Sequence, residues 1–571
     1  MTIRESLEAV LYQALNAAVE SGALPLDEIP EPTLERPREE GHGDWACTIA
    51  MRLAKAARMN PRQIAQILVD HLPENDLIDS LEIAGPGFIN LTLAPAVFQN
   101  VITQVRTQGN DYGKSTLPEP CKVDLEYVSA NPTGPMHVGH GRWAALGDAI
   151  ARVMRHAGYQ VDEEFYINDQ GNQMNVFADS LVVRYQQELG LDVEMPEASY
   201  GGGYVSELAR QIVESDGDKW LNVDADERRV AFRELGYKAM LDSVKETLEI
   251  FGNNFDTWFS ERSLFVADEE GKTKIDRAFD VMNERGYIFE SEGATYFRST
   301  AFGDEKDRVL IKGNGELTYF MSDVAYHYDK MQRGYDHLID IWGADHHGYI
   351  PRCQAMMAAW GYPDALEVVL GQLVTLFRDG QQVRMSKRTG EMITFRELID
   401  EVGVDATRYM MLSKSSDQSI DFDIEVAKKK DSSNPVYYVQ YAHARICSIA
   451  RKAAEARGIA TEGVSADELA AVLSIDAADL ALLTHESELA LMRKMADFTD
   501  LVAGAARDRA PFRLTHYAQD LASLFHSFYT NCRVIGEGEA IEQARLALAD
   551  SARIVLALSL GLLGVSAPER M

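Results

Sequence analysis

Two histidines separated by two residues close a Pro- and Gly-rich turn in NPTGPMHVGH, residues 131–140. An amphipathic helix begins behind them, with Leu146, Ile150, Val153, Met154 and Ala157 at spacings of three and four and Gly158 suited to its C-terminal cap. Three chemistries are open to such a pair. His137 can cap the helix while His140 is an ordinary satisfied polar group. The pair can bind a metal, but HxxH lacks the i, i+4 spacing that sets two imidazoles on one helical face, and no cysteine or carboxylate stands beside it as a third ligand. Or the pair can serve an anion, because a helix N-terminus presents unpaired N–H groups and partial positive charge, to which two imidazoles add directional donors. In that reading Gly139, lacking a side chain, lets a flat ring such as adenine lie against the backbone. Held phosphates need more positive charge, and QQVRMSKRTG, residues 381–390, supplies it. Arg384, Lys387 and Arg388 sit in a short loop after a β segment, between Asp379-Gly380 and Gly390. A basic loop by itself is a solvated turn; with the histidine motif it can close over charge that develops in phosphoryl or nucleotidyl transfer.

The elements that must position these groups are legible in outline. KVDLEYV, the turn, the helix and YQVDEEFYI form strand, Gly-rich turn, helix and strand, the βαβ unit of a doubly wound sheet. DHLIDIWGADHHG reads as a strand ending in a loop, and LEVVLGQLVTLFRDGQQVRM as a β segment turning at Asp379-Gly380. DRVLIKGNGELTYF reads as a hairpin around Asn314-Gly315. An acidic, helical stretch at about 185–265 reads as an insertion. Residues 1–118 combine helical periodicity with the strand-like GPGFINLTL, and residues 434–571 are helical throughout. The expected organisation is therefore an α+β domain over 1–118, an α/β Rossmann-like domain over 119–433, and an all-α bundle over 434–571.

Composition narrows the class. At 571 residues the chain is too long for one core. No apolar run approaches the roughly 20 residues that span a bilayer, and the acidic amphipathic start does not read as a signal peptide. Five scattered cysteines form no CxxC pair, so a reducing cytoplasm and neither disulfides nor a cysteine metal site are expected. The net charge of −33 argues against non-specific nucleic-acid binding but leaves room for a local basic stripe.

HVGH and RMSKR resemble the two signatures of class I aminoacyl-tRNA synthetases, and the text around them resembles the bacterial type of the arginyl-tRNA synthetase family over essentially the whole chain. The resemblance rests on GPGFINLTL, LEY…ANPTGPMHVGH, FSERSLF, WGADHHGYIPR, GVDATRYMML and FHSFYTNCRV…ARIVLALSLGLLGVSAPERM, in that order. One position departs from it: Arg384 opens the second signature in place of lysine, which keeps the charge and changes the geometry, so the main catalytic weight falls on Lys387. The resemblance implies a HUP-type Rossmann-like catalytic domain, an N-terminal tRNA-binding module and a C-terminal anticodon-binding bundle. It implies activation of L-arginine by ATP with Mg²⁺, transfer to tRNA(Arg), and a monomer with no protein-ligated metal.

Residue by residue, it assigns His137, His140 and Lys387 to catalysis. Gly139, Gly343, Ala344, Asp345, Arg384, Met385 and Ser386 are expected around ATP. Glu126, Tyr319 and Asp323 are expected to take the guanidinium, and Asn131 the α-amino and carboxyl end. A guanidinium, a planar fork of donors, suits carboxylates completed by an aromatic face or hydroxyl. Lysine would leave such acceptors unpaired, so no editing domain is expected. On the C-terminal helices Tyr437, Tyr438, Tyr441 and Arg445 form an aromatic and basic cluster suited to unpaired bases, and Phe528 and Tyr529 a second. Gly43, Asp44 and Trp45 are the N-terminal candidates for tRNA contact. Rival readings are a nucleotidyltransferase, which would be shorter and lack the helical bundle, and a catalytically silent sensor, which would be expected to lose a histidine or Lys387. A glutamyl-type enzyme would want cations in place of Glu126 and Asp323.

Overall fold

The structure is a computed structural model that describes residues 2–37, 41–383 and 393–571. Five parallel strands form its central sheet: β1 (Lys122–Glu126), β2 (Gln160–Ile167), β3 (Thr257–Ser260), β4 (His337–Gly343) and β5 (Leu366–Gly371). Their spatial order is β5-β4-β1-β2-β3. The chain therefore winds outward in both directions from β1 and β4, and the loops leaving these two strands part to open a crevice at the C-terminal edge. Helix α1 (Val138–His156) covers one face and helix α2 (Tyr319–Gln332) packs on the other. Val123, Leu125 and Tyr127 point toward α1 and are fully buried. A Cβ on Gly147 of α1 would fall 2.2 Å from the Tyr127 ring, so this helix lies too close to β1 for any side chain there.

The sheet is longer than the sequence suggests. β3 lies inside the stretch read as an insertion and pairs in parallel with β2 from Glu164↔Thr257 to Ile167↔Ser260. The helical insertion is thus the three helices Asn172–Glu188, Gly203–Asp216 and Ala225–Phe251, with their own core around Phe177, Tyr185 and Phe232. The expected hairpin at Asn314-Gly315 is also different. Arg308–Ile311 pairs with Ala294–Phe297, and the return past Gly315 makes one bridge, Ile311↔Leu317, before α2 begins. Val374–Arg378 and Gln381–Gln382 do turn at Asp379-Gly380, both residues having positive φ, in a small second sheet with Ile420–Asp423.

Residues ahead of the central sheet form a four-stranded antiparallel sheet with helices Ile3–Glu20, Ile49–Ala57, Pro61–Asp70 and Pro95–Gln108. Six helices from Pro435–Ala456 to Glu539–Leu562 build the C-terminal bundle. The two ends of the chain are in contact: Asp44 pairs with Arg493 at 3.0 Å and Arg106 with Asp476 at 2.6 Å. Asp44 also accepts from the Leu93 N–H, and Trp45 is buried beneath the Arg36 guanidinium. Trp45 is therefore a packing residue, while Gly43 stays exposed beside it. Among the described residues no helix is long and apolar enough to cross a membrane.

Candidate active site

The crevice between β1 and β4 holds a cavity of about 590 Å³. Glu126, Asn131, His137, Gly139, His140, Asp323, Gly343 and Asp345 all line it, together with Tyr166, Tyr326, His327, Asp340 and Tyr349. The chain enters the site through a strained turn. Val128 (φ 69°) and Ser129 (φ 40°) are consecutive non-glycine residues in the left-handed region, a conformation that is costly for a β-branched side chain and held only by its surroundings. The strain aims the Ser129 hydroxyl back at β1, where it donates to Glu126 at 2.9 Å and accepts from the Tyr166 N–H at 3.1 Å.

At one end of the cavity lies the first turn of α1. His137 is its N-cap residue, and the two imidazoles stack with centroids 3.6 Å apart. The backbone N–H of His137 donates to His140 Nδ1 at 3.3 Å, which assigns the His140 ring proton to Nε2. Gly139 lines the cavity, and a Cβ there would meet the His137 ring at 3.0 Å, so its lack of a side chain also makes room for that imidazole. Thr394 bridges to His137 and the Phe395 N–H donates to the Met136 carbonyl at 2.8 Å, so the segment following the basic loop is tied to the same turn. Arg384, Met385, Ser386 and Lys387 themselves lie outside the described residues.

At the other end are acids. Strand register sets Asp340 of β4 beside Glu126 of β1, and Glu126 beside Glu164 of β2. Asp124 lies two residues before Glu126 on the same face. Helix α2 brings cations onto this row. Lys330, fully buried, reaches Asp124 at 2.9 Å, Glu126 at 2.8 Å and Asp340 at 3.1 Å, and Arg333 forks onto Glu164. His327 donates from Nδ1 to the Asp323 carbonyl at 2.9 Å and from Nε2 to Asp340 at 3.0 Å. Both ring nitrogens face acceptors, and although burial opposes its charge, the Asp340 carboxylate raises the His327 pKa. Burial likewise works to raise Asp340, but Lys330 and His327 outweigh it and hold that acid at about 2. Asp323 accepts from the Tyr349 hydroxyl, yet burial pushes its pKa up to about 6. Sequence reasoning missed this layer. The available signal was charge inside apolar strands, Asp340 in LIDIW and Glu164 in DEEFYI, since strands covered on both faces otherwise read as hydrophobic runs.

Other expected residues fall elsewhere. Tyr319, the first residue of α2, is 70% exposed and lines a neighbouring groove, one turn ahead of Asp323 at the exposed start of the helix. Its hydroxyl approaches Gly171, beside the helix whose Gln173 accepts from Asn131 at 2.9 Å, so it stands at the rim and not with Asp323. Ala344 is absent from the cavity lining, while Asp345 folds back toward Gly343. In the bundle Phe528 is fully buried, which rules it out as a base-stacking surface and corrects that expectation. Tyr441 (43% exposed) stacks on Tyr437, and Arg445 donates to the Tyr529 hydroxyl at 3.0 Å while lying over its ring, an exposed aromatic and cationic patch.

A nucleotide-sized crevice at the switch point of a parallel sheet, closed by paired histidines at a helix mouth, places the chain among class I aminoacyl-tRNA synthetases. Residues 101–446 match the family described as tRNA synthetases class I (R), catalytic domain; residues 5–93 match the arginyl tRNA synthetase N terminal domain, and residues 439–571 the DALR anticodon binding domain. The chain is similar to the arginine–tRNA ligase of Heliobacterium modesticaldum, 46% identical over 570 residues covering 100% of this chain and 99% of the relative. It is equally similar to that of Geobacillus thermodenitrificans, 46% identical over 573 residues with the same coverage. The arginyl-tRNA synthetase of Thermus thermophilus has the same fold, with a TM-score of 0.74 at 24% identity and full coverage of both chains. The chain belongs to the arginyl-tRNA synthetase family.

Proposed function

We propose that this protein activates L-arginine with ATP and transfers it to the 3′ end of tRNA(Arg), with pyrophosphate and AMP as products. The observation that carries the reading is one cavity lined both by two imidazoles at a helix N-terminus and by the carboxyl groups of Glu126 and Asp323. In the first step the arginine carboxylate attacks the α-phosphorus and pyrophosphate leaves. Negative charge builds on the phosphate oxygens, and we assign His137, His140 and Lys387 as the donors that meet it. Neither histidine serves as general base, because the attacking carboxylate has no proton to lose. Asp345 is assigned to the ATP ribose and Asn131 to the α-amino and carboxyl end of arginine, both of them lining the cavity. In the second step the terminal ribose hydroxyl attacks the acyl carbon.

Magnesium would arrive on the triphosphate and supply charge neutralisation there; among the described residues no group of three His, Cys, Asp or Glu side chains is arranged to hold a metal. The bundle patch of Tyr437, Tyr441, Arg445 and Tyr529 supports anticodon contact by stacking. Pyrophosphate exchange and tRNA charging, run with each of arginine, lysine and glutamate, test the proposal. Arginine alone is expected to be charged; charging of glutamate or lysine at a comparable rate would sink it. Running the exchange with and without tRNA also tests whether adenylate formation waits for tRNA, and brisk exchange by the protein alone would exclude that coupling.

A further inference from the structure

Three carboxylates line up along the C-terminal ends of β1 and β4, and the structure has already given them a cation. Asp124, Glu126 and Asp340 surround the Lys330 ammonium with one oxygen each at 2.8–3.1 Å. Glu126 and Asp340 accept hydrogen bonds from this ammonium, and Asp124 adds an ion pair at 2.9 Å. Lys330 has no solvent exposure, and its ammonium lies 4.6 Å from the centroid of the Tyr326 ring. Two of the three acids, Glu126 and Asp340, also line the substrate cavity, so the lysine sits directly beneath the cavity floor. Two of the three are also approached from a second side: the Tyr326 hydroxyl, shared with Glu164, stands 2.9 Å from Glu126, and His327 donates to Asp340 at 3.0 Å.

We infer that Lys330 is a specificity-determining and positioning residue: its ammonium fills an ammonium-sized niche among the acids beside the cavity and so denies it to a lysine substrate, while it holds Glu126 for a guanidinium. The inference rests on the arginine reading of the cavity. A row of acids at a cationic-substrate site poses a discrimination problem, because a compact ammonium is drawn to three converging oxygens at least as strongly as a planar fork is. Filling that niche from within removes the attraction. A substrate side chain then meets Glu126, fixed by Ser129 and Lys330, and Asp323, fixed by Tyr349, two separated carboxylates that a planar, multi-donor head can bridge and a point charge cannot. Lys330 touches the substrate nowhere; it acts through Glu126.

The test is steady-state aminoacylation by the full-length enzyme with arginine and with lysine. Wild type comes first: if it fails to charge arginine, the function is misread and Lys330 is not at issue. Lys330→Met removes the internal ammonium, and Lys330→Met combined with Asp340→Asn removes one acid with it, restoring part of the charge balance if the single variant does not fold. In a folded variant the arginine KM is expected to rise by about tenfold or more while the ATP KM stays within about twofold, and the arginine-to-lysine ratio of kcat/KM to fall by about tenfold or more. Asp340→Asn alone, which changes one atom of the cradle, is expected to move the same ratio by about threefold and decides the matter if both other variants unfold. A merely structural lysine would lower folded yield, or kcat for both amino acids together, and leave the ratio and the KM split unmoved; that result overturns the inference.

Discussion

Asp323 shows how much a single carboxyl can decide. It is sunk at the inner end of the cavity, where burial lifts its pKa to about 6 from an ordinary 3.8. In the empty enzyme it therefore holds a proton below about pH 6, and a protonated acid cannot pair with a guanidinium. Arginine binding pulls the pKa back down and releases that proton, so affinity strengthens as pH rises through 6 and is flat above. The arginine KM is expected to climb by up to about tenfold per pH unit below 6 while the ATP KM stays level, which steady-state kinetics between about pH 5 and 8 will measure. A KM that is flat across that window would remove Asp323 from the guanidinium site. The residue was legible in YFMSDVAY only through the family resemblance; its raised pKa was not legible at all, because burial is a property of the fold.

At the scale of elements, the site depends on how closely α1 lies on β1. Gly147 touches the Tyr127 ring, and a Cβ there would sit 2.2 Å from it. Gly147→Ala is expected to cost about 1–3 kcal/mol by overpacking and to displace the helix that carries His137 and His140 at its mouth. Lowered onset of thermal unfolding together with a reduced exchange rate would bear this out; unchanged melting would show that the helix can shift freely. The strand, turn and helix were readable from periodicity, as was the Gly158 cap. β3 was not, since TWFS is four residues long and follows a 27-residue helix, and only pairing with β2 makes it a strand.

Across the whole molecule, buried arginine ties domains together. Arg408 has no exposure and donates to the Leu563 carbonyl at 3.0 Å, to the Phe251 carbonyl at 2.9 Å and to Asp148 of α1. One side chain thus joins the end of the C-terminal bundle, the end of the insertion and the helix behind the active site. Arg408→Lys keeps the charge but cannot reach three acceptors with one ammonium in fork geometry. We expect a loss of about 1–3 kcal/mol and faster proteolytic cleavage near residue 563, read by melting and limited digestion. The bundle surface gives a paired prediction. Tyr441→Ala is expected to raise the tRNA KM by about fivefold or more at unchanged melting temperature, and Phe528→Ala to destabilise by about 3–5 kcal/mol because it empties a core position. Equal effects on tRNA KM would contradict the separation of surface from core drawn between them.

By itself the sequence determined what local order can encode. Periodicity and turn chemistry marked the βαβ unit, the helical bundle and the histidine motif at a helix mouth, and the order of short motifs pointed to the family. It could say which types of residue were present but not which of them met. Glu126, Asp340 and Asp124 become neighbours only through the register of two strands more than 200 residues apart in the chain, and Lys330 becomes their partner only because α2 crosses that face. The same holds for Phe528, whose aromatic spacing suits a base or a core equally until the bundle closes over it. Tertiary structure decided these cases because burial and charge compensation depend on what lies across the fold, and a linear string carries that information only where the neighbours are also neighbours in sequence.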